Sequence, residues 1–136
     1  MTSFNIRIYG LLIQENKLLI IREPFAGKMI DKFPGGGLEF GEGTRDCLKR
    51  EFMEELNLQI NVKEHFYTQD NFIASRFNEN EQLLMIYYKV EAVDLAQLKI
   101  VDADIEKLTW KDFNELSPND LSLESDQLVV KMLLEN

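Results

Sequence analysis

Cysteine, histidine and tryptophan are scarce in this sequence of 136 residues, which contains one of each. A single cysteine, Cys47, cannot form an internal disulfide, which fits a reducing compartment and leads us to expect a cytoplasmic protein. One histidine, His65, and one cysteine are also too few for a zinc site. We therefore expect no zinc site, and we expect Cys47 to be a small packing residue.

Long apolar runs and an excess of basic side chains are absent as well. No stretch approaches the length that spans a bilayer, and the start of the chain lacks the basic and apolar regions of a secretory signal. The net charge of −9 argues against a protein that binds nucleic acid through a broad basic surface. Because 45% of the residues are hydrophobic and no linker is evident, residues 1–136 are expected to form one domain.

Acidic residues, in contrast, are plentiful, and three of them share a spacing. Glu51, Glu54 and Glu55 lie at i, i+3 and i+4, which places their side chains on one face of an α-helix. Like charges at this spacing oppose helix formation by roughly 0.2–0.5 kcal/mol per pair, so a compensating cation is expected. Carboxylate oxygens suit hard cations, and the lack of an EF-hand pattern argues against Ca²⁺. The pattern predicts a site for Mg²⁺ or Mn²⁺.

Three consecutive glycines precede this predicted helix, in the run Phe33-Pro34-Gly35-Gly36-Gly37. Glycine permits positive φ and leaves no side chain between a ligand and the backbone. Since the start of a helix attracts negative charge, a loop of this kind can bind an anion. The glycines alone are equally compatible with a structural turn.

The spacing of the whole segment is more specific than any of its parts. The positions that form the pattern are Gly36, Glu42, Arg50, Glu51, Glu54, Glu55 and Leu58. In residue type and in spacing the segment resembles the signature box of the Nudix hydrolase family. Asn57 stands where the family usually has glycine. Because asparagine tolerates the left-handed conformation that ends a helix, we expect function to survive this difference.

The resemblance implies an α/β fold of the α+β type, a Nudix-like α/β/α sandwich with a mixed β-sheet between helices. Outside the box, alternating and continuous apolar segments predict strands and a hairpin around Glu15-Asn16. The predicted strands are residues 5–14, 17–22, 59–64, 83–91 and 107–111. The predicted helices after the box are residues 112–116 and 125–134, and the second carries an apolar stripe of Leu128, Val129, Met132 and Leu133.

The resemblance also implies an active site that hydrolyses a nucleoside diphosphate linked to another moiety. The expected metal ligands are Glu51, Glu54, Glu55 and the carbonyl oxygen of Gly36. Arg50 and Glu42 are expected to act beside them, because a guanidinium can hold a carboxylate by two hydrogen bonds and fix its orientation. The expected general base is Glu51 or Glu54. The alternatives are downstream carboxylates, namely Glu79, Glu81, Asp104 and Glu106.

Markers of the substrate are few outside the box. No proline occurs between Pro34 and Pro118, and no tyrosine between Tyr67 and Tyr87. These absences argue against ADP-ribose and diadenosine polyphosphates, respectively. The expected partner is therefore a small-molecule nucleotide, either a nucleoside triphosphate or a nucleotide sugar.

Candidate contacts to that nucleotide are basic and aromatic side chains. By resemblance, Arg22 at the end of the second predicted strand is expected to contact phosphate. Lys28 and Lys32, in the predicted loop before the glycines, are further candidates. The aromatic candidates for stacking on a base, each of which can equally pack in the core or at its rim, are Phe25, Phe72 and Phe77.

Two other classes of protein stay open. A regulatory or nucleotide-binding protein can keep this fold without catalysis, although the acidic positions of the box are all present. An isomerase of the same superfamily would use an active-site cysteine, whereas Cys47 lies within the box helix. The apolar run at residues 83–88 exceeds the need of a half-exposed strand, so we expect a homodimer or a central strand within the monomer.

Overall fold

The structure is a computed structural model that describes residues 1–135. It confirms the α+β class: within these residues it contains eight strands, two α-helices and two short 3₁₀ turns. The strands are β1 (Ser3–Gln14), β2 (Lys17–Phe25), β3 (Lys28–Lys32), β4 (Gly35–Gly37), β5 (Ile60–Thr68), β6 (Ile73–Ala74), β7 (Glu81–Ala92) and β8 (Lys107–Asp112). The helices are α1 (Thr44–Leu56) and α2 (Glu124–Leu134), and the 3₁₀ turns are Leu95–Gln97 and Pro118–Asp120.

The sheet is mixed, and it opens into two parts. Its strand order is β3-β2-β1-β7-β5, with β4 paired to β1, β8 to β2 and β6 to β7. Strand β1 is parallel to β7, and the other pairs are antiparallel. Strands β1 and β2 pair next to their hairpin, at Ile13–Leu18 and Gln14–Lys17. Farther along, β1 pairs with β4 while β2 lies between β3 and β8, which leaves a cleft between the two parts.

The two helices cover opposite faces of this sheet. The side chains of β1 alternate between the faces, as expected for a strand with a period of two. Ile8 and Leu12 pack in one cluster with Phe52 of α1. Tyr9 packs in the other cluster with Val129 of α2. This arrangement is the predicted α/β/α sandwich, and it places α1 beside β4 and the cleft.

Helix α1 is the predicted box helix. It begins after Gly43 and ends at Asn57, whose φ of 52° and ψ of 33° are left-handed, as expected for asparagine at this position. The Asn57 N–H donates to the carbonyl oxygen of Met53 over 3.1 Å. The apolar side of the helix buries Leu48 and Phe52. The acidic residues are thereby directed along the neighbouring side.

Several segments differ from the predictions. The predicted helix at 112–116 is wrong: Asp112 ends β8, and its carboxylate accepts a hydrogen bond from the Asn114 N–H over 2.8 Å, which forms a turn. Strand β5 extends to Thr68, beyond the predicted end at residue 64. In α2, Leu128 is 41% exposed and Val130 is buried instead.

The apolar run at residues 83–88 lies in β7, between β1 and β5. Its side chains reach both cores: Leu83 and Tyr87 pack on the α2 side, and Ile86 and Tyr88 pack on the α1 side. A central strand within one chain therefore accounts for the run. The homodimer stays a prediction, which light scattering at micromolar concentration can test against the single-chain mass of 15.9 kDa. No helix among residues 1–135 combines the length and the apolar character needed to cross a membrane.

A buried carboxylate lies at the start of α2. Asp126 is 0% exposed, and its Oδ1 accepts a hydrogen bond from the Tyr87 hydroxyl over 2.6 Å. Its Oδ2 has no hydrogen-bond partner among residues 1–135. Burial raises the pKa of Asp126 from 3.8 to about 6, although the hydrogen bond from Tyr87 acts in the opposite direction. The folded state therefore disfavours the ionised form of this carboxyl.

We expect Asp126→Asn to stabilise the fold increasingly as the pH rises. Because the pKa of Asp126 is higher in the folded than in the unfolded chain, the stability contributed by this group falls as the pH rises from about 4 through about 6. A shift of about two pKa units corresponds to roughly 3 kcal/mol of unfolding free energy. Urea unfolding of both proteins at about pH 4, 6 and 8 should show a difference that grows and then levels off. A difference independent of pH contradicts the prediction.

Candidate active site

Arg50 is the centre of a polar cluster on α1. Its Nε and Nη2 donate to the two carboxylate oxygens of Glu42 over 3.0 and 2.7 Å. Its Nη1 donates to Glu51 over 3.0 Å and to Glu54 over 3.2 Å, and its Nη2 also donates to the carbonyl oxygen of Gly37 over 3.1 Å. The hydrogen bonds from Arg50 lower the pKa of Glu42 to about 2, so the pair stays ionised. The guanidinium therefore links three carboxylates to the glycine strand.

Glu51 lies against the backbone of β4. A Cβ atom added at Gly36 would lie 2.6 Å from the Glu51 carboxylate, so this carboxylate occupies the space that a side chain at position 36 would fill. Burial raises the pKa of Glu51, and Arg50 opposes that shift. Two of the predicted metal ligands, Gly36 and Glu51, thus lie together, and their role as ligands stays a prediction.

Glu55 joins a second group of carboxylates that the sequence did not predict. Its Oε1 accepts a hydrogen bond from the Gly35 N–H over 3.2 Å. One oxygen each of Glu55, Glu23 and Asp102 lie within 4.8 Å of one another. Burial raises the pKa of Glu55 to about 8, and the negative charge of Glu23 adds to this shift, while Lys32 opposes it. Strand β2 contributes Glu23, and the loop before β8 contributes Asp102.

The donor atoms of this group suit a hard divalent cation. All are carboxylate oxygens, the ligands that Mg²⁺ and Mn²⁺ accept, and crowded buried carboxylates are stabilised when a cation neutralises them. Of the predicted ligands, Glu55 lies inside this group. Glu51 lies beside Gly36, and the side chain of Glu54 is 59% exposed at the edge of the cluster.

The two predicted phosphate-binding cations form ion pairs with protein carboxylates. Arg22 lies within β2 rather than at its end, and its Nη1 contacts Asp31 over 2.9 Å. Lys32 lies on β3, so its placement in a loop is wrong. Its side chain is 1% exposed, and its Nζ contacts Glu23 over 2.9 Å. Lys28 is the first residue of the same strand. The substrate contacts of Arg22 and Lys32 stay predictions.

A cavity of about 100 Å³ lies between β7, the end of β2 and the start of α2, and Arg76 and Glu124 line it together with apolar side chains. Its lining residues include Phe25, Leu83, Met85, Leu123 and Ser125. Phe25 is buried, and its ring meets that of the exposed Phe77 edge to face at 4.8 Å. Of the three predicted stacking residues, Phe25 thus lines this cavity, Phe77 contacts the Phe25 ring, and Phe72 is 71% exposed elsewhere.

A family model described as the NUDIX domain matches residues 4–132 of the chain. The chain belongs to the Nudix family. Its membership supports a pyrophosphohydrolase, and it confirms the resemblance of the box. A curated relative, the U8 snoRNA-decapping enzyme of Homalodisca vitripennis, is 32% identical over 66 residues, which are 48% of this chain and 34% of that protein. The chain thus matches about a third of the length of that relative.

Several solved structures share the fold of this chain. The E. coli ORF135 protein is 19% identical, with a TM-score of 0.75 over 98% of this chain and 92% of that one. A Nudix hydrolase from Nitrosomonas europaea is 17% identical, with a TM-score of 0.77 over 99% of this chain and 72% of that one. A UDP-X diphosphatase is 14% identical, with a TM-score of 0.71 over 99% of this chain and 64% of that one. At such identities the likeness concerns the fold.

In the described part of the chain, the four alternative general bases make no side-chain contact with Arg50, although the Asp104 N–H donates to Asp102 over 2.9 Å. Glu79 and Asp104 are exposed, and Glu106 lies 3.7 Å from Arg22. Glu81 begins β7 and accepts a hydrogen bond from Asn5 over 3.3 Å. Glu51 and Glu54 contact Arg50, whereas no ion pair or side-chain hydrogen bond within residues 1–135 joins the four alternatives to Arg50.

We expect Arg50→Ala to lower Nudix activity or metal affinity by roughly 10–100-fold, because the ligand carboxylates lose the group that orients them. Arg50→Lys should restore little, since one ammonium cannot hold both oxygens of Glu42 and also reach Gly37. Steady-state kinetics and titration with Mn²⁺ measure both effects. Full activity of the lysine variant would show that charge alone matters at this position.

Proposed function

We propose that this Nudix protein hydrolyses a pyrophosphate bond in a nucleotide, with a nucleoside triphosphate or a nucleotide sugar as substrate and Mg²⁺ or Mn²⁺ as cofactor. The single observation that supports this proposal most strongly is the joining of two carboxylate groups at β4. Glu51 lies against Gly36, and Glu55 of the same helix meets Glu23 of β2 and Asp102 of the loop before β8. Both groups border the cleft where β1 and β2 separate.

The metal ligands in this proposal are Glu51, Glu54, Glu55 and Gly36, and the structure adds Glu23 and Asp102 as neighbours of Glu55. When bound, the cation neutralises phosphate oxygens and lowers the pKa of a bound water. Lys32 contacts Glu23 over 2.9 Å and offsets part of the negative charge of this carboxylate group.

The remaining steps belong to the side chains of the box. Arg50 holds Glu51 and Glu54 in fixed orientations through hydrogen bonds of 3.0 and 3.2 Å. Glu51 or Glu54 accepts the proton of the attacking water. Glu42 in turn fixes Arg50 through two hydrogen bonds, so that the guanidinium cannot rotate away from the carboxylates.

Cys47 does not favour the isomerase alternative. It is 0% exposed, and its thiol is directed at the carbonyl oxygen of Gly37 over 3.6 Å. Burial raises the pKa of this thiol to about 12, so that the reactive thiolate is suppressed at neutral pH. These features agree with the packing role predicted from the sequence.

A substrate screen tests the proposal. Nucleoside triphosphates and nucleotide sugars are incubated with the protein and Mg²⁺, Mn²⁺ or EDTA, and released phosphate, pyrophosphate and nucleoside monophosphate are measured. A capped RNA is included because the matched relative is named a decapping enzyme. We expect metal-dependent release from a small nucleotide. Binding of nucleotides without release from any substrate would instead establish the silent nucleotide-binding protein.

A further inference from the structure

Arg7 is a cation of the cleft that the box does not include. It lies on β1 opposite Gly37 of β4. Its Nε donates a hydrogen bond of 2.7 Å to the hydroxyl of Tyr9. Unlike Arg22 and Arg50, it takes part in none of the ion pairs found among residues 1–135. Its two terminal nitrogens therefore stay available as donors.

The charge of Arg7 persists although the side chain is half-buried. Burial disfavours the charged form, but Tyr9 and the carboxylates of Glu51 and Glu23 outweigh it and raise the pKa of Arg7. A half-buried guanidinium that makes no ion pair with a protein carboxylate keeps accessible donors, which can bind an anion. The electrostatic attraction of Glu51 and Glu23 holds the side chain near the cleft without occupying its donors.

The position of Arg7 connects the cavity to the carboxylates of the box. Its Cζ lies 6.0 Å from the centre of the Phe25 ring, which lines the cavity. A Cβ atom added at Gly37 would lie 3.7 Å from the Arg7 Nη1, so the bare glycine lets the guanidinium lie against β4. On the adjacent residue of β4, Gly36 touches Glu51. Arg7 and Glu51 thus lie at adjacent residues of the same glycine strand.

We propose that Arg7 binds the phosphate nearest the nucleoside, while the base enters the cavity beside Phe25. At about 100 Å³, the cavity is smaller than the roughly 300–1,000 Å³ of complete ligand pockets, so it takes one end of the substrate. The phosphates then extend past Arg7 toward Glu51. Two parallel N–H donors match the geometry of a phosphate. The assignment rests on the proposed hydrolysis of nucleotides.

Binding of methylenediphosphonate, a pyrophosphate analogue that is not hydrolysed, tests this assignment by calorimetry in the presence of Mg²⁺. Arg7→Met keeps the length of the side chain and removes its donors, and should weaken the analogue by roughly 10–100-fold. Arg7→Lys should give an intermediate loss. Binding of Mg²⁺ alone should change by less than about threefold, because Arg7 contacts no metal ligand directly.

Arg45→Met is the matched control. Arg45 also lies over a tyrosine ring, with its Cζ 5.0 Å from the centre of Tyr88, and its Nη1 donates to the carbonyl oxygen of Val62 over 2.7 Å. Since that arginine lies outside the cleft, its variant should bind the analogue as the wild type does. Tyr9→Phe removes the hydrogen bond to Arg7 and keeps the guanidinium, and its binding should fall less than that of Arg7→Met.

Three results would overturn the assignment. The first is failure of the wild type to bind the analogue, and the second is wild-type affinity in Arg7→Met. The third is an equal loss of affinity in Tyr9→Phe and Arg7→Met, which would indicate that Arg7 has a structural role. Failure of the proposed function is a separate result. In that case the analogue binds in an Arg7-dependent way, but no nucleotide is hydrolysed.

Discussion

Glu55→Gln and Glu54→Gln are each expected to remove most metal-dependent turnover. The loss of one carboxylate ligand should reduce kcat on the order of 10²–10³-fold, since metal-ion catalysis contributes several kcal/mol and each 1.4 kcal/mol is about tenfold. The fold should persist. In Glu55→Gln, the amide keeps an oxygen that can accept the Gly35 N–H. Both substitutions remove negative charge from a crowded helix face. For Glu55, whose pKa burial raises to about 8, the neutral amide also avoids the unfavourable burial of charge.

Asp46→Asn provides the matched control for these two variants. Asp46 lies in the first turn of the same helix, away from the carboxylate clusters, and is exposed. Its loss should leave turnover unchanged and should lower the unfolding free energy by at most about 1 kcal/mol through the helix dipole. Turnover with Mg²⁺ and circular dichroism decide the outcome. Wild-type turnover in both glutamine variants would refute the metal assignment.

Gly35→Ala is expected to have the largest effect on stability. Gly35 has a φ of +144°, and a Cβ atom there would lie 2.0 Å from the carbonyl oxygen of Ile8 and 2.8 Å from the Cα of Tyr9. Both are backbone atoms of β1, so neither can move aside without breaking the β1–β4 ladder. The expected loss of unfolding free energy is roughly 3–5 kcal/mol. The melting temperature should fall by roughly 10 °C or more.

Gly27→Ala separates the clash from the backbone strain. Gly27 also has a positive φ, +85°, but nothing lies within 4 Å of an added Cβ. Its alanine variant should lose only about 1–3 kcal/mol, the range for a strained backbone position. Differential scanning calorimetry compares the two variants. If Gly35→Ala melts as high as Gly27→Ala, the close approach of β4 to β1 does not limit stability.

The parts of the fold that the sequence predicted correctly are those set by local rules. The acidic residues of α1 share a face because their spacing is helical, and Asn57 ends the helix in the expected left-handed conformation. The hairpin between β1 and β2 turns at Glu15 and Asn16, whose φ angles are 51° and 63°. Each of these features depends on residues close together in the chain.

The missed parts depend on contacts between distant segments. Glu23 was not predicted because strand β2 was expected to end at Arg22. The strand continues through Pro24, which has no N–H to donate to a neighbouring strand. The pairing of β2 with β8 ends at Arg22, so the proline does not interrupt that pairing. Asp102 reaches Glu55 from a loop, and no spacing within the sequence relates the two residues. An acidic residue next to an apolar strand was the one available signal for Glu23.

The wrong helix at residues 112–116 has a local cause of a different kind. Asp112 is a residue that caps helices and also forms turns, because its carboxylate competes for nearby backbone N–H groups. Here it binds the Asn114 N–H, and the Glu115 N–H donates to the Asp112 carbonyl oxygen over 2.9 Å. The same signal therefore fits two structures. Pairing of Asp112 with Lys17 in the sheet decides between them.

The buried thiol beneath β4 makes the chain a reporter of its own opening. Cys47 is the single cysteine, it is 0% exposed, and burial raises its pKa to about 12. A thiol reagent can modify it only in molecules in which α1 has separated from β4. The rate of modification under native conditions therefore measures how often the helix that bears the carboxylates leaves the glycine strand, without any added label or mutation.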